Sequence, residues 1–226
     1  MKKILISILF ITYSMFAQEE LNYAQQKELI QFLESSIKKG DNNRVFELGL
    51  IYEDGILDSN NKKKPNMELA TKYFISAFEH KDYRSVFKLI VLLKEKKEFK
   101  KALELLDEVI KNSPPGSLRI STVTTYGTFA LDYFSKDKDV LIDALYNFQY
   151  LTNEDLNNVP TSKFVKAMLM ANVGNVQEGE QLLNDACFSP KAPKELKDKC
   201  FNATNFEIVK SDVKKSISEP CCTNIK

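Results

Sequence analysis

The 226 residues carry 32 Lys and Arg against 31 Asp and Glu, a formal charge of +1 at pH 7, so the chain lacks the basic surplus of a nucleic-acid binder. Trp is absent, Gly and Pro number seven each, and Leu, Lys, Glu, Ala and Phe are common, which points to an all-α chain. The length suits one domain or one short array of repeated units.

The chain opens MKKILISILFITYSMFAQEE. Two lysines ahead of an apolar run that ends near Ala17 read as a signal peptide over residues 1–17, cleaved after Ala17 although Met15 departs from the small-residue preference. No cysteine follows the run, so a lipid anchor is not expected. No later stretch is apolar for long enough to span a bilayer, which predicts no stable membrane insertion after cleavage. Residues 18–40 form an N-terminal capping helix. It is expected over 20–39 with Leu21, Ala24, Leu29, Phe32, Leu33 and Ile37 toward one face, and Gly40 ends it.

The most informative stretch is 44–93. Leu48, Gly49, Tyr52 and Gly55 fit A-x-x-x-L-G-x-x-Y-x-x-G, with Arg44 where Ala would stand. Asp41 or Asn42 is the expected N-cap, and Gly55 the expected left-handed C-cap. Residues 58–66, with paired Asn, three Lys and Pro65, read as an exposed loop. Beyond it Ala70, Tyr73, Phe74 and Ala77 fit A-x-x-Y-F-x-x-A, and Ser85 opens a further helix carrying Leu89 and Leu93. Leu48 and Tyr52 are four apart and share a face. Gly49 on that side costs roughly 1 kcal/mol of helix propensity, so close approach of the second helix is the expected compensation. Small Ala70 and Ala77 opposite large Leu48 and Tyr52 let two helices interlock.

Further pairs follow. Helices are expected over 82–94 and 98–111, the second lined by Ala102, Leu105, Leu106 and Val109, and the Ser113-Pro114-Pro115-Gly116 break ends it. Residues 117–134 form a helix whose Thr-rich first turns have low propensity, and 138–151 form the next. Thr161 is the expected cap of a helix carrying Val165, Ala167, Met168 and Met170. Asn175 leads into the last of the series, weakened by Gly179. A short helix over 194–200 precedes a C-terminal amphipathic stripe of Phe206, Val209, Val213 and Ile217, which ends at Pro220.

Together these stretches resemble the Sel-one-like repeat, a relative of the tetratricopeptide repeat, in a secreted bacterial chain. The resemblance spans residues 41–190 and is strongest over 44–93 and 163–186. It implies an α-solenoid of antiparallel helix pairs with N- and C-terminal capping helices. Leu48, Gly49, Tyr52, Gly55, Ala70, Tyr73 and Ala77 would be its packing residues. The first helices of the units would line a concave face, placing Glu47, Leu50, Arg84, Lys88, Thr125 and Lys166 as candidate partner-binding residues. Tyr83 and Tyr126 read as packing residues rather than interface anchors.

No catalytic, cofactor or metal constellation is legible. His80 is the single histidine, expected at a helix C-terminus where its imidazole caps the turn. No phosphate-cradling glycine motif occurs. The expectation is a non-enzymatic protein that needs no cofactor. It would bind another protein in the periplasm or outside the cell, as a scaffold or adaptor. The resemblance also admits an immunity protein that neutralises a periplasm-acting toxin. A hydrolase of cell-wall or β-lactam substrates stands third, because the chain lacks the cysteine pair per repeat of the members linked to that chemistry.

Cys187, Cys200, Cys221 and Cys222 all lie in the last fifth of the chain, and behind a signal peptide an even number suggests disulfides. Adjacent cysteines rarely bridge each other. In the favoured pattern Cys187 and Cys200 each join one of Cys221 and Cys222, tying residues 191–226 down as a cap for about 3 kcal/mol. In the competing pattern Cys187 bridges Cys200 alone.

Overall fold

The computed structural model describes residues 21–201. The expected signal peptide, the stripe Phe206, Val209, Val213 and Ile217, and Cys221 and Cys222 lie outside the described residues. Eleven α-helices and a single two-stranded ribbon occur among the described residues, so the protein is all-α. The described residues divide into two compact units, one ending at Ser85 and the other starting at Val86, a boundary that falls inside the expected 41–190 array.

In the first unit α1 (Tyr23–Lys38) starts at Asn22 through a reciprocal cap. The Asn22 side chain accepts from Gln25 N–H while the Gln25 side chain accepts from Asn22 N–H, which satisfies two otherwise orphaned donors and sets the start at Tyr23. Leu33 is fully buried, but Ala24 and Phe32, expected on the apolar face, are exposed. The buried face runs instead through Gln26. A 3-10 turn (Asn42–Arg44) leads into α2 (Val45–Asp54).

Gly55 ends α2 with φ +111° and ψ 138°, a positive φ but an extended ψ, so it is not the expected left-handed cap. The chain passes straight into β1 (Ile56–Leu57), which pairs antiparallel with β2 (Lys63–Lys64) in the register Ile56↔Lys64 and Leu57↔Lys63. A Cβ on Gly55 would stand 2.9–3.0 Å from the Lys64 and Pro65 backbone, so the returning strand also needs the glycine. Part of the expected loop is therefore a small hairpin. Asp58 shapes its tip by accepting from Asn60 and Lys62 N–H. α1 holds this hairpin: Gln26 Nε2 donates to Gly55 O at 3.1 Å, Leu57 N–H donates to Gln26 Oε1 at 2.6 Å, and Tyr23 N–H donates to Asn61 Oδ1 at 3.0 Å. α3 (Met67–Glu79) is capped by the Asn66 side chain. His80 closes it, Nδ1 donating to Ser76 O at 2.7 Å. A 3-10 turn (Tyr83–Ser85) ends the unit.

The second unit holds α4 (Val86–Glu95), α5 (Phe99–Asn112), α6 (Ser117–Tyr133), α7 (Lys138–Asn147), α8 (Asn153–Asn158), α9 (Pro160–Val173), α10 (Val176–Cys187) and α11 (Lys194–Phe201). Its core contains Leu106, Val109, Ile110, Val123, Leu141, Phe148 and Leu169, each at most 2% exposed. The Thr-rich start of α6 is helical from Ser117. Thr122 and Thr124 hydroxyls donate back to Leu118 and Ile120 carbonyls, and the Thr124 hydroxyl lies 2.6 Å from that of Ser162 on α9. The helix expected over 138–151 stops at Asn147 and tightens into a 3-10 turn (Phe148–Tyr150). α8 was not expected; Thr152 and Asp155 cap it reciprocally. α9 begins with Pro160 at its first position rather than behind a Thr161 cap, because proline has no N–H to leave unpaired there.

Gly174, in the left-handed conformation at φ +103°, and Asn175 turn α9 into α10. Cys187 at the end of α10 bonds Cys200 in α11, with Cα atoms 5.7 Å apart. The favoured pairing of both cysteines with the tail is thereby corrected: the geometry realises the competing bridge, which joins α11 to α10.

Candidate interaction site

α2 and α3 run in opposite directions. Asn66 N–H, at the start of α3, donates to Tyr52 O near the end of α2, while Phe46 at the start of α2 meets Phe74 with ring centroids 5.8 Å apart. Leu48, Ala70 and Ala77 are fully buried in this hairpin. A Cβ on Gly49 would stand 2.7 Å from the Phe74 ring and 3.3 Å from Tyr73 Cβ. Tyr52 stacks on Tyr73, centroids 5.3 Å apart and planes 12° apart. Burial raises the pKa of both phenols, Tyr73 and Glu34 add to the effect on Tyr52, and Glu34 adds to that on Tyr73. All seven residues of the repeat pattern thus lie in or beside the α2–α3 pair.

Two of the six candidate partner-binding residues meet each other in the same unit. The Arg84 guanidinium lies 4.7 Å from the centre of the Phe46 ring. Its Nε and Nη2 donate to both Asp82 oxygens, and Nη1 and Nη2 reach Glu47 Oε1 at 3.3 Å. Hydrogen bonding to Asp82 raises the Arg84 pKa further, helped by the charges of Asp82 and Glu47 and opposed by burial. Glu47 Oε2 is buried without a hydrogen bond. An arginine already gripped by two carboxylates is held in shape but has little charge left to offer a partner. Leu50 is half-buried on α2, and Lys88, Thr125 and Lys166 are half-buried on α4, α6 and α9 of the second unit. Tyr83 and Tyr126 are buried, at 8% and 7% exposure, and act as packing residues. Burial pushes the Tyr126 phenol up to about 12, with Asp107 and Asp143 adding to it.

The second unit repeats the close-contact hairpin in α9 and α10. A Cβ on Gly179 would stand 2.9 Å from Ala167 O and 3.1 Å from Ala171 N, so the backbones themselves touch. Gly179, read from sequence only as a weak point of α10, is what lets the helices meet. Farther along, Ala167, Leu183 and Cys187 form a buried cluster with Phe164, Leu182 and Cys200 against it.

Beside this hairpin opens a groove of about 480 Å³. Thr128, Leu131 and Asp132 of α6 form one wall, with Ser135 beyond them; Thr161, Phe164, Val165, Met168 and Asn172 of α9 form the second. Glu195, Leu196 and Lys199 of α11, with Pro193, form the third. Leu131, Phe164, Val165, Met168 and Leu196 make its surface largely apolar, and charges stand only on the α6 and α11 walls. Sequence reading missed this site because its walls come from positions far apart; the available signal was Phe164 and Met168, one helical turn apart. Lys88, Thr125 and Lys166 do not line it.

Among the described residues, no group of three or more His, Cys, Asp or Glu side chains is placed to hold a metal ion. No described helix is long and apolar enough to cross a membrane. No family model, no curated protein and no solved structure matches the chain.

Proposed function

We propose that this protein is a non-catalytic interaction module of the Sel-one-like and tetratricopeptide-like class, secreted to the bacterial periplasm, where it binds another protein as a scaffold or adaptor. The observation that carries the reading is the α2–α3 pair. The residues of the repeat pattern pack on one another there, Gly49 beneath Phe74 and Tyr52 on Tyr73, the way paired helices of such arrays interlock. The Cys187–Cys200 bond supports an oxidising compartment. In this reading helix pairs present the contact surface, and Lys88, Thr125 and Lys166 are the residues through which it acts.

Affinity capture from periplasmic extract by the secreted protein, followed by mass spectrometry, tests it. One stoichiometric protein partner is expected, with binding reduced at least tenfold by Lys88→Glu with Lys166→Glu while the helical circular-dichroism spectrum is kept. Absence of any stoichiometric partner, or binding indifferent to both reversals, would overturn it. Capture of a toxin would narrow the reading to immunity.

A further inference from the structure

The groove between α6, α9 and α11 presents the half-buried Leu131, Phe164 and Met168 to an open volume of about 480 Å³, apolar surface whose burial is favourable for whatever fits it. The last described residue, Phe201, ends α11, and α11 is itself a wall of the groove. Cys200, next to Phe201, is bonded to Cys187, so the point where the chain leaves the described structure is fixed beside the groove. Another 25 residues follow.

We propose that residues 206–217 of this same chain occupy the groove. Three features select them over another occupant. From Phe201 to Phe206 the chain can extend at most about 18 Å, which keeps the segment close to the groove and makes its binding intramolecular, at an effective concentration on the order of millimolar. Phe206, Val209 and Val213 recur at spacings of three and four; at 1.5 Å per residue that stripe is about 10 Å long, within the length of the α9 wall between Thr161 and Asn172. The segment is net positive, with Lys210, Lys214 and Lys215 against Glu207 and Asp212, and the rim is net negative, with Asp132 and Glu195 against Lys199. The segment covers the groove without needing Cys221 or Cys222, which is consistent with Cys187 and Cys200 being bonded to each other.

Site-directed cross-linking in the full secreted chain tests this, with Cys221→Ser and Cys222→Ser to remove the tail thiols. Met168→Cys with Val209→Cys should form an intramolecular bridge under mild oxidation, mapped as a 168–209 peptide. Gln181→Cys with Val209→Cys, whose first site is exposed on α10 outside the groove, should bridge at least tenfold more slowly. In a second measurement free of new thiols, Val209→Asp with Val213→Asp should speed amide hydrogen exchange in residues 164–172 several-fold. Equal bridging at both sites, no bridge at all, or unchanged exchange would overturn the proposal. A bridge that joins two chains and rises with protein concentration would assign the groove to a second copy and overturn it equally.

Discussion

The α2–α3 and α9–α10 hairpins each set a glycine against the partner helix, with no room for a Cβ, yet the two glycines face different things. Gly49 looks onto the ring of Phe74, a side chain, whereas Gly179 looks onto Ala167 O and Ala171 N, which are backbone. The connectors differ in parallel. Between α2 and α3 the chain runs through a hairpin anchored by α1; between α9 and α10 it turns at Gly174 and Asn175 alone. A long connector leaves the separation of the helices to their side chains, so aromatic rings fill the space. A two-residue turn brings the main chains together, and only a residue without a side chain fits between them.

The largest expected consequence is therefore at Gly179. Gly179→Leu should destabilise the protein by about 3 kcal/mol or more, because neither contacting backbone atom can rotate away. Urea denaturation followed by circular dichroism measures it, and a midpoint equal to that of the parent would mean that α10 stands off α9. Next comes the bond that closes the same region. Cys187→Ser with Cys200→Ser removes a cross-link between residues 13 apart, for just under ~3 kcal/mol of chain entropy. If the oxidised protein loses no stability on this change, the bridge is not what holds α11.

Gly49→Leu should cost about 2 kcal/mol, less than the same change at Gly179, since the Phe74 ring can tilt although it is buried. A larger loss at Gly49 than at Gly179 would reverse the contrast between side-chain and backbone contact. The change with the smallest effect at neutral pH is at the Tyr126 phenol of the second unit, and it shows only in alkali. The fold holds Tyr126 neutral up to about 12, against about 10 in an unfolded chain. Its contribution to stability is fully present below pH ~10 and is lost as pH rises through that interval. Tyr126→Phe should flatten the fall in melting temperature between pH 10 and 12 and leave it little changed at pH 7. An identical alkaline slope in the variant would place the titrating group elsewhere.

Much of this was legible in the residues, where local pattern and packing agree. Periodicity located the long helices, and the spacing of Leu48, Gly49 and Tyr52 against Ala70, Tyr73 and Ala77 described a hairpin. What escaped was set by chemistry that periodicity does not weigh. Gln26 takes a buried place on α1 because its amide has two backbone partners, while Ala24 and Phe32 lie exposed. The Thr152–Asp155 cap that starts α8 and the Pro160 start of α9 were both written in the sequence, but a single breaker-rich segment hid two starts in close succession. Cysteine spacing alone cannot choose a partner; the choice follows from where α10 ends and α11 begins. The groove was invisible because it belongs to no single helix.

The Gln26 contact has a meaning beyond holding α1 to the hairpin. Its carboxamide receives Leu57 N–H and gives an N–H to Gly55 O, the same exchange that a neighbouring peptide group makes with a strand. One side chain thus serves as a third strand one residue long. The flank of β1 facing away from β2 is closed, and no extended segment of another molecule can add there. Gln26→Leu would keep the volume but leave Leu57 N–H and Gly55 O buried without their partner, at about 1–3 kcal/mol for each stranded group.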